Sequence, residues 1–205
     1  MTLPSWASHL DAKIAPGPLL LVQAFVDTLD TDLGTDMLAR PDEALAWLAD
    51  AGLRDSDSVD AAADLRLARV VRESIRAIIA LNTEDKPLTE AELEPLEEVL
   101  REARARLQVP ADGQVRLEAA AAAGGVARGL LGLLLNIRDA QADGSWSRLK
   151  LCGNPDCQWA FYDRSHSRQG AWCDMASCGT RLKNRNLRAR RAQASEHPGR
   201  AQARR

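Results

Sequence analysis

The sequence predicts a mainly α fold: a helical N-terminal domain with one β-hairpin, followed by a small unit made of a second hairpin and a helix. Three observations carry this. The apolar fraction of 45% is supplied mostly by alanine and leucine, while aromatic residues make up 4%. That balance favours helices over strands. All four cysteines, Cys152, Cys157, Cys173 and Cys178, fall inside one 27-residue window of a 205-residue chain. The charge divides at the same place. Residues 1–147 hold 14 Lys and Arg against 25 Asp and Glu, a charge of −11; residues 148–205 hold 13 against 4, a charge of +9. An acidic domain (1–147) joined to a basic one (148–205) implies two functional units and an anionic partner for the second.

The elements follow in order. Residues 1–15 show no clear periodicity and read as a loosely held N-terminus. A first helix starts near Pro18, with Leu19, Val22, Val26 and Leu29 at helical spacing. "DTDLGTD" reads as a turn-rich loop. "RPDEALAWLADAGL" is a short helix, with Pro41 suiting its first turn and Gly52 its stop. The clearest helix runs from about Val59 to Leu81, its apolar side carrying Leu65, Ala68, Val71, Ile75, Ile78 and Ile79, with Asn82 to close it. Thr89 and Glu92 have capping-box spacing, and Pro95 either interrupts that next helix or delays its start. Leu107 and Val109, an Asp112-Gly113 turn, then Val115 and Leu117 read as the hairpin. An alanine- and leucine-rich helix, roughly Ala119 to Ala142, supplies a buried spine, and "ADGSW" marks the boundary.

No signal peptide or membrane span is visible, so the expected compartment is the cytoplasm. Thiols stay reduced there, and clustered cysteines more often hold metal than form disulfides. The spacing is C-x4-C, fifteen residues, then C-x4-C. Each pair closes a small loop, and four sulfurs complete a tetrahedral zinc site. One structural Zn2+ ion is therefore the expected cofactor. A catalytic zinc is disfavoured because four thiolates leave no open position. Free thiols, or disulfides in an exported protein, are the alternatives. "RLKL" and "QWAFY" flank the first pair as strands; Cys173 falls in a turn, and Cys178 in the first turn of a helix. A knuckle followed by a ligand-bearing helix resembles a treble-clef zinc finger. His166, between the pairs, could replace a cysteine as ligand, but four cysteines already complete the site, so it reads as a surface or phosphate-facing residue. Trp172, beside Cys173, can shield the sulfurs or serve as core.

Beyond Cys178 a helix can run to about Ser195, where His197-Pro198-Gly199 ends it. Arg181, Asn184, Arg185, Arg188 and Arg191 fall on one broad face and Leu182 and Ala189 on another, while Lys183 and Arg190 lie away from both. Arginine grips phosphate bidentately and reads guanine, and asparagine reads adenine. The expected partner is DNA, with RNA or an acidic protein as alternatives. The terminal "GRAQARR" adds non-specific attraction.

These residues resemble the CGNR zinc-finger family, bacterial proteins described as stress-induced transcriptional regulators. Cys152, Cys157, Asp163, Ser165, Trp172, Cys173, Met175, Cys178, Gly179, Arg181 and Lys183 match its pattern. "LVQAFVDTLD" and "LAWLADAGL" resemble that family's helical ABATE domain. Together the resemblances cover nearly the whole chain and imply DNA-binding regulation. The departures are Thr180 where the family has Asn, Asp27 where it typically has Asn, and Gly170 and Ala171 where arginines are usual. Thr180 retains a hydroxyl for the surroundings of the metal but lacks the amide's two donors. The N-terminal domain is the expected place for an unknown effector or for assembly, and a palindromic DNA site implies a homodimer. The opposite charges also let the acidic body cover the basic tail in cis. No phosphate-binding glycine loop or Ser-His-Asp set points to an enzyme, and the three histidines, His9, His166 and His197, are dispersed.

Overall fold

This computed structural model describes residues 3–11, 13–55, 58, 60–84, 86–120, 124–185 and 187–188. The fold is mainly helical with small hairpins. α1 (Leu19–Val26) follows Pro18 as expected and is buried on nearly every side. Gln23 is among its buried residues, and its amide bridges two segments: it accepts from the Ala15 amide at 2.7 Å and donates to the Ala160 carbonyl at 3.0 Å.

The N-terminal segment is not loose. Ala7, Leu10 and Ala15 are buried in the main core. The Trp47 indole donates to the Trp6 carbonyl at 2.9 Å, and the Tyr162 amide to the Lys13 carbonyl at 2.7 Å. The segment has no periodicity of its own because long-range partners satisfy its backbone.

The turn-rich stretch contains a minimal hairpin, β1 (Leu29–Asp30) paired with β2 (Thr35–Asp36). α2 (Pro41–Asp50) has Pro41 in its first turn. α3 (Ala61–Ala80) is capped by Asp60, whose carboxylate accepts from the Ala63 amide at 2.9 Å. α4 (Glu90–Glu102) opens with the expected capping box and runs straight through Pro95. That proline deprives the Ala91 carbonyl of its helical partner, but Ala91 is exposed, so water can serve it.

β3 (Arg106–Gln108) pairs with β4 (Arg116–Glu118), Leu107 opposite Leu117. The last long helix, α5 (Ala127–Asp143), starts eight residues later than expected from Ala119. Two features fix its start. Gly125 takes φ +67°, and the Asp64 carboxylate, itself held by Arg54 and Ser58, accepts from the Val126 amide at 3.0 Å. The Ala120 amide instead bonds to the Ala103 carbonyl, so a tertiary pairing overrides alanine's helix preference.

β5 (Leu149–Leu151) and β6 (Ala160–Tyr162) form the cysteine hairpin, Leu149 opposite Tyr162. Leu149, Ala160 and Tyr162 belong to the same hydrophobic cluster as the helices. Asn82, expected only to end α3, donates to the Trp146 and Leu149 carbonyls at 2.9 and 2.8 Å. It thereby joins the helical body to the hairpin's base. Among the described residues no helix is long and apolar enough to cross a membrane.

Candidate metal centre and basic helix

Cys152 leaves β5, and its amide donates to the Trp159 carbonyl at 2.8 Å, closing the hairpin. The turn between the first two cysteines is built on Asn154, whose carbonyl accepts from the Cys157 amide at 2.9 Å. Cys173 follows an extended stretch that the Gly153 amide ties to the Ala171 carbonyl at 2.8 Å. Cys178 sits in a wide turn, Met175–Gly179, started by Asp174, whose carboxylate accepts from the Ser177 amide at 2.7 Å. At Gly179 a Cβ would lie 2.5 Å from the Met175 sulfur and 3.2 Å from the Trp172 ring, so only glycine fits without displacement.

These elements bring the four sulfurs together. All lie within 4.8 Å of one another. Cys173 is 3.8 Å from Cys157 and 3.7 Å from Cys178, sulfur to sulfur. Zinc–sulfur bonds of about 2.3 Å in a tetrahedron give edges of about 3.8 Å. The same separations are nearly twice the roughly 2.05 Å of a disulfide, and the four thiols are free. Four cysteines are therefore positioned to bind a metal ion.

Their protonation chemistry agrees. Hydrogen bonds from the Cys157 and Cys173 thiols lower Cys152 to about 2, helped by the Cys173 and Asn154 amides. Donating a hydrogen bond to Cys152, with burial and the Cys152 charge adding, pushes Cys157 up to about 12; hydrogen bonds to Cys152 and Cys157, with burial, raise Cys173 further still. One thiolate is easy to form and the next is hard. A divalent cation removes that conflict, because it binds the deprotonated form of every ligand.

Two family models match the chain. One, described as "CGNR zinc finger", spans residues 148–191. The other, named ABATE and described as "Putative stress-induced transcription regulator", spans residues 20–137, more than half of the chain. The chain belongs to the ABATE family and carries a CGNR zinc finger. Comparison with the curated proteins finds no match.

The remaining site residues of this ABATE–CGNR chain divide into three groups. Trp172 packs against the cysteine cluster. Thr180 turns its hydroxyl back to the Met175 carbonyl at 3.1 Å and so helps to close the wide turn. Helix continues over residues 180–185, where Arg181, Lys183, Asn184 and Arg185 are exposed, as is Arg188 beyond it. Arg181 grips both oxygens of Asp32, at the β1–β2 tip, at 2.8 and 2.7 Å. Arg185 pairs with Asp156 at 2.8 Å. Arg190, Arg191 and the expected helix end near residue 195 lie outside the described residues.

Sequence reasoning missed the role of two residues. Asn154, read only as a turn former, is buried and aims its amide at the Cys178 sulfur, 3.8 Å away. It links the two cysteine pairs, and an Asx turn inside the knuckle was the signal. Asp163, noted only as a match, is buried and organises the loop before Trp172. It accepts from the Ser165 amide at 3.0 Å, the Gly170 amide at 2.7 Å and the Lys150 ammonium at 3.0 Å. Burial opposes its charge, but Ser165, Lys150 and Gly170 more than offset that and hold the carboxyl well below its usual range. His166 is exposed, apart from the sulfurs' shell.

Proposed function

We propose that this chain is a DNA-binding transcriptional regulator, not an enzyme. One structural zinc ion, held by Cys152, Cys157, Cys173 and Cys178, fixes a basic helix for contact with DNA. The hairpin-plus-helix layout around the sulfurs is read as treble-clef-like. Residues 1–147 act as the sensing or assembly unit and residues 148–205 as the DNA-binding unit. The observation that carries the reading is the sulfur tetrahedron placed immediately before an exposed run of basic residues. Lys183, Asn184 and Arg188 are the first contacts. Arg181 and Arg185 join them by exchanging Asp32 and Asp156 for phosphate, a charge-assisted exchange within reach of the same guanidinium forks.

The test is a titration of the zinc-loaded full chain against duplex DNA and structured RNA at two salt concentrations. About four phosphate contacts imply an affinity loss of roughly a hundredfold between about 50 and 200 mM salt. Absence of DNA binding at the lower salt would reject the reading, and preference for the RNA would replace DNA as the partner.

A further inference from the structure

A cleft of about 800 Å³ opens between α3, the first turns of α4 and the cysteine hairpin. Small-molecule sites fall between roughly 300 and 1,000 Å³. Its floor is one side of α3, where Arg69, Arg72 and Arg76 stand three and four residues apart. Three guanidinium groups so close need compensation, and two have it. Arg72 pairs with Asp36 at 2.6 Å and with Glu73 at 2.8 Å. Arg76 pairs with the other Glu73 oxygen at 3.2 Å and donates to the Gln158 and Val26 carbonyls at 2.9 and 2.8 Å. Both carboxylates are thereby occupied.

Arg69 differs. It donates to the Leu38 and Ala39 carbonyls, and among the described residues it pairs with no carboxylate. It therefore brings to the cleft a positive charge that no carboxylate bonds directly, although Asp36 lies near enough to feel it. Away from it the lining is apolar and low in profile: Ala77 and Ala80 on α3, Pro95 on α4, Leu151 and Pro155 on the hairpin. Glu84 also lines the cleft, and Glu92 turns its carboxylate back to Thr89. A cation beside a slot of small apolar side chains selects a ligand with one anionic group and a flat hydrophobic body.

We propose that this cleft is an effector site for a small organic monocarboxylate. Its carboxylate meets Arg69, and its apolar body lies between α3, Pro95 and the cysteine hairpin. Glu84 disfavours a second anionic group. The site also touches the metal centre's own backbone, since Cys152 and Gly153 line it. Arg76 spans from the cleft to the Gln158 carbonyl, one residue beyond Cys157. A ligand that prefers one setting of this contact shifts the zinc unit by its difference in affinity for the two settings. That consequence, though not the site itself, rests on the regulatory reading above.

The experiment is calorimetric titration of the zinc-loaded full chain with 2-naphthoate, 2-naphthalenemethanol and naphthalene-2,6-dicarboxylate, repeated with Arg69→Gln and Ala80→Phe. A charge-assisted hydrogen bond is worth about 1.5–3 kcal/mol, so 2-naphthoate is expected to bind about tenfold or more tighter than the neutral alcohol. It is also expected to bind more tightly than the dicarboxylate. Either substitution should weaken it about tenfold or more; Ala80→Phe fills the slot without disturbing the bonds of Arg69. Equal affinity for alcohol and carboxylate, or unchanged binding in Ala80→Phe, overturns the site. Binding of 2-naphthoate by a chain that ignores DNA upholds the site and removes only the regulatory reading.

Discussion

The two cysteine pairs belong to one tetrahedron but are held in different ways. Cys152 and Cys157 lie at the end of a hairpin built into the helical core. Its strands contribute Leu149, Ala160 and Tyr162 to the main hydrophobic cluster, and its backbone is gripped by Gln23, Asp27, Thr31 and Arg76. Cys173 and Cys178 lie on an extended segment and a single wide turn. The bonds from that half to the N-terminal part run from Lys13 to the Trp172 carbonyl and from Arg181 to Asp32. Burial sets the geometry of the first pair. The second pair has little apolar surface to bury, so under the zinc reading proposed above a bound ion would do most of its holding. On that reading the helix that follows would take its direction from the metal–sulfur bonds.

The largest effect should come from breaking the tetrahedron on its weak side. Structural zinc contributes about 10–16 kcal/mol in isolated finger peptides, more than the residues after Cys173 can supply by packing. Cys178→Ser, or removal of metal by a chelator, is expected to abolish DNA binding and unfold residues 171–188. The helical body and the β5–β6 strands should remain, with hydrogen-exchange protection retained at Leu149 and Tyr162. Cooperative loss of protection in both regions would show that the two pairs are not held differently.

How much of this could be read in advance follows from the same contrast. The gathering of the four cysteines, the hairpin around the first pair and the helix after the last were legible, because metal-binding patterns reuse short spacings and turn chemistry. α2, α3 and the capping box of α4 were legible from periodicity and local side-chain bonds. The order in the N-terminal segment and the late start of α5 were not. Ala15 is fixed by Gln23, and Val126 by Asp64 across 62 residues of sequence. Such bonds leave no local pattern. The ion pairs that occupy Arg181 and Arg185 were equally hidden: a helical projection shows which arginines share a face, and says nothing about Asp32 arriving from a distant loop.

A smaller effect sharpens the strong side. Asp27 is fully buried; one oxygen accepts from the Ala160 amide at 2.7 Å, and the other has no partner among the described residues. Burial raises its pKa well above the ordinary 3.8, with Asp30 and Asp11 adding to the rise, while the Ala160 amide and Arg76 oppose it. The folded state thus holds this proton more tightly than the unfolded chain. The stability associated with Asp27 is complete below the unfolded value of about 3.9 and declines as pH rises from there to the folded pKa. Asp27→Asn, isosteric with the protonated acid, removes that decline. At pH 8 it should stabilise the chain by roughly 1–3 kcal/mol, the scale of a buried polar group relieved of its penalty. At pH 4 the gain should vanish. Urea midpoints at the two pH values measure the difference, and an equal effect at both would mean that Asp27 is not the titrating group.

The smallest effect concerns the contact that the acidic body makes with the basic helix. Asp32 occupies Arg181 through both oxygens, so residues 1–147, of charge −11, meet residues 148–205, of charge +9, at this exposed pair. Exposed pairs contribute little to folding and are screened by salt. Asp32→Asn should therefore leave the thermal midpoint unchanged within error. Its effect should instead appear in binding, because Arg181 no longer has to exchange one anion for another. The Arg181–phosphate contact is then no longer offset by a carboxylate set free, which steepens the salt dependence by up to about 0.9 in log–log slope. The affinity gain should be a few-fold at low ionic strength and fade as salt rises. A drop in affinity would assign the pair the opposite duty: Asp32 would then be holding Arg181 in the position from which it meets the phosphate.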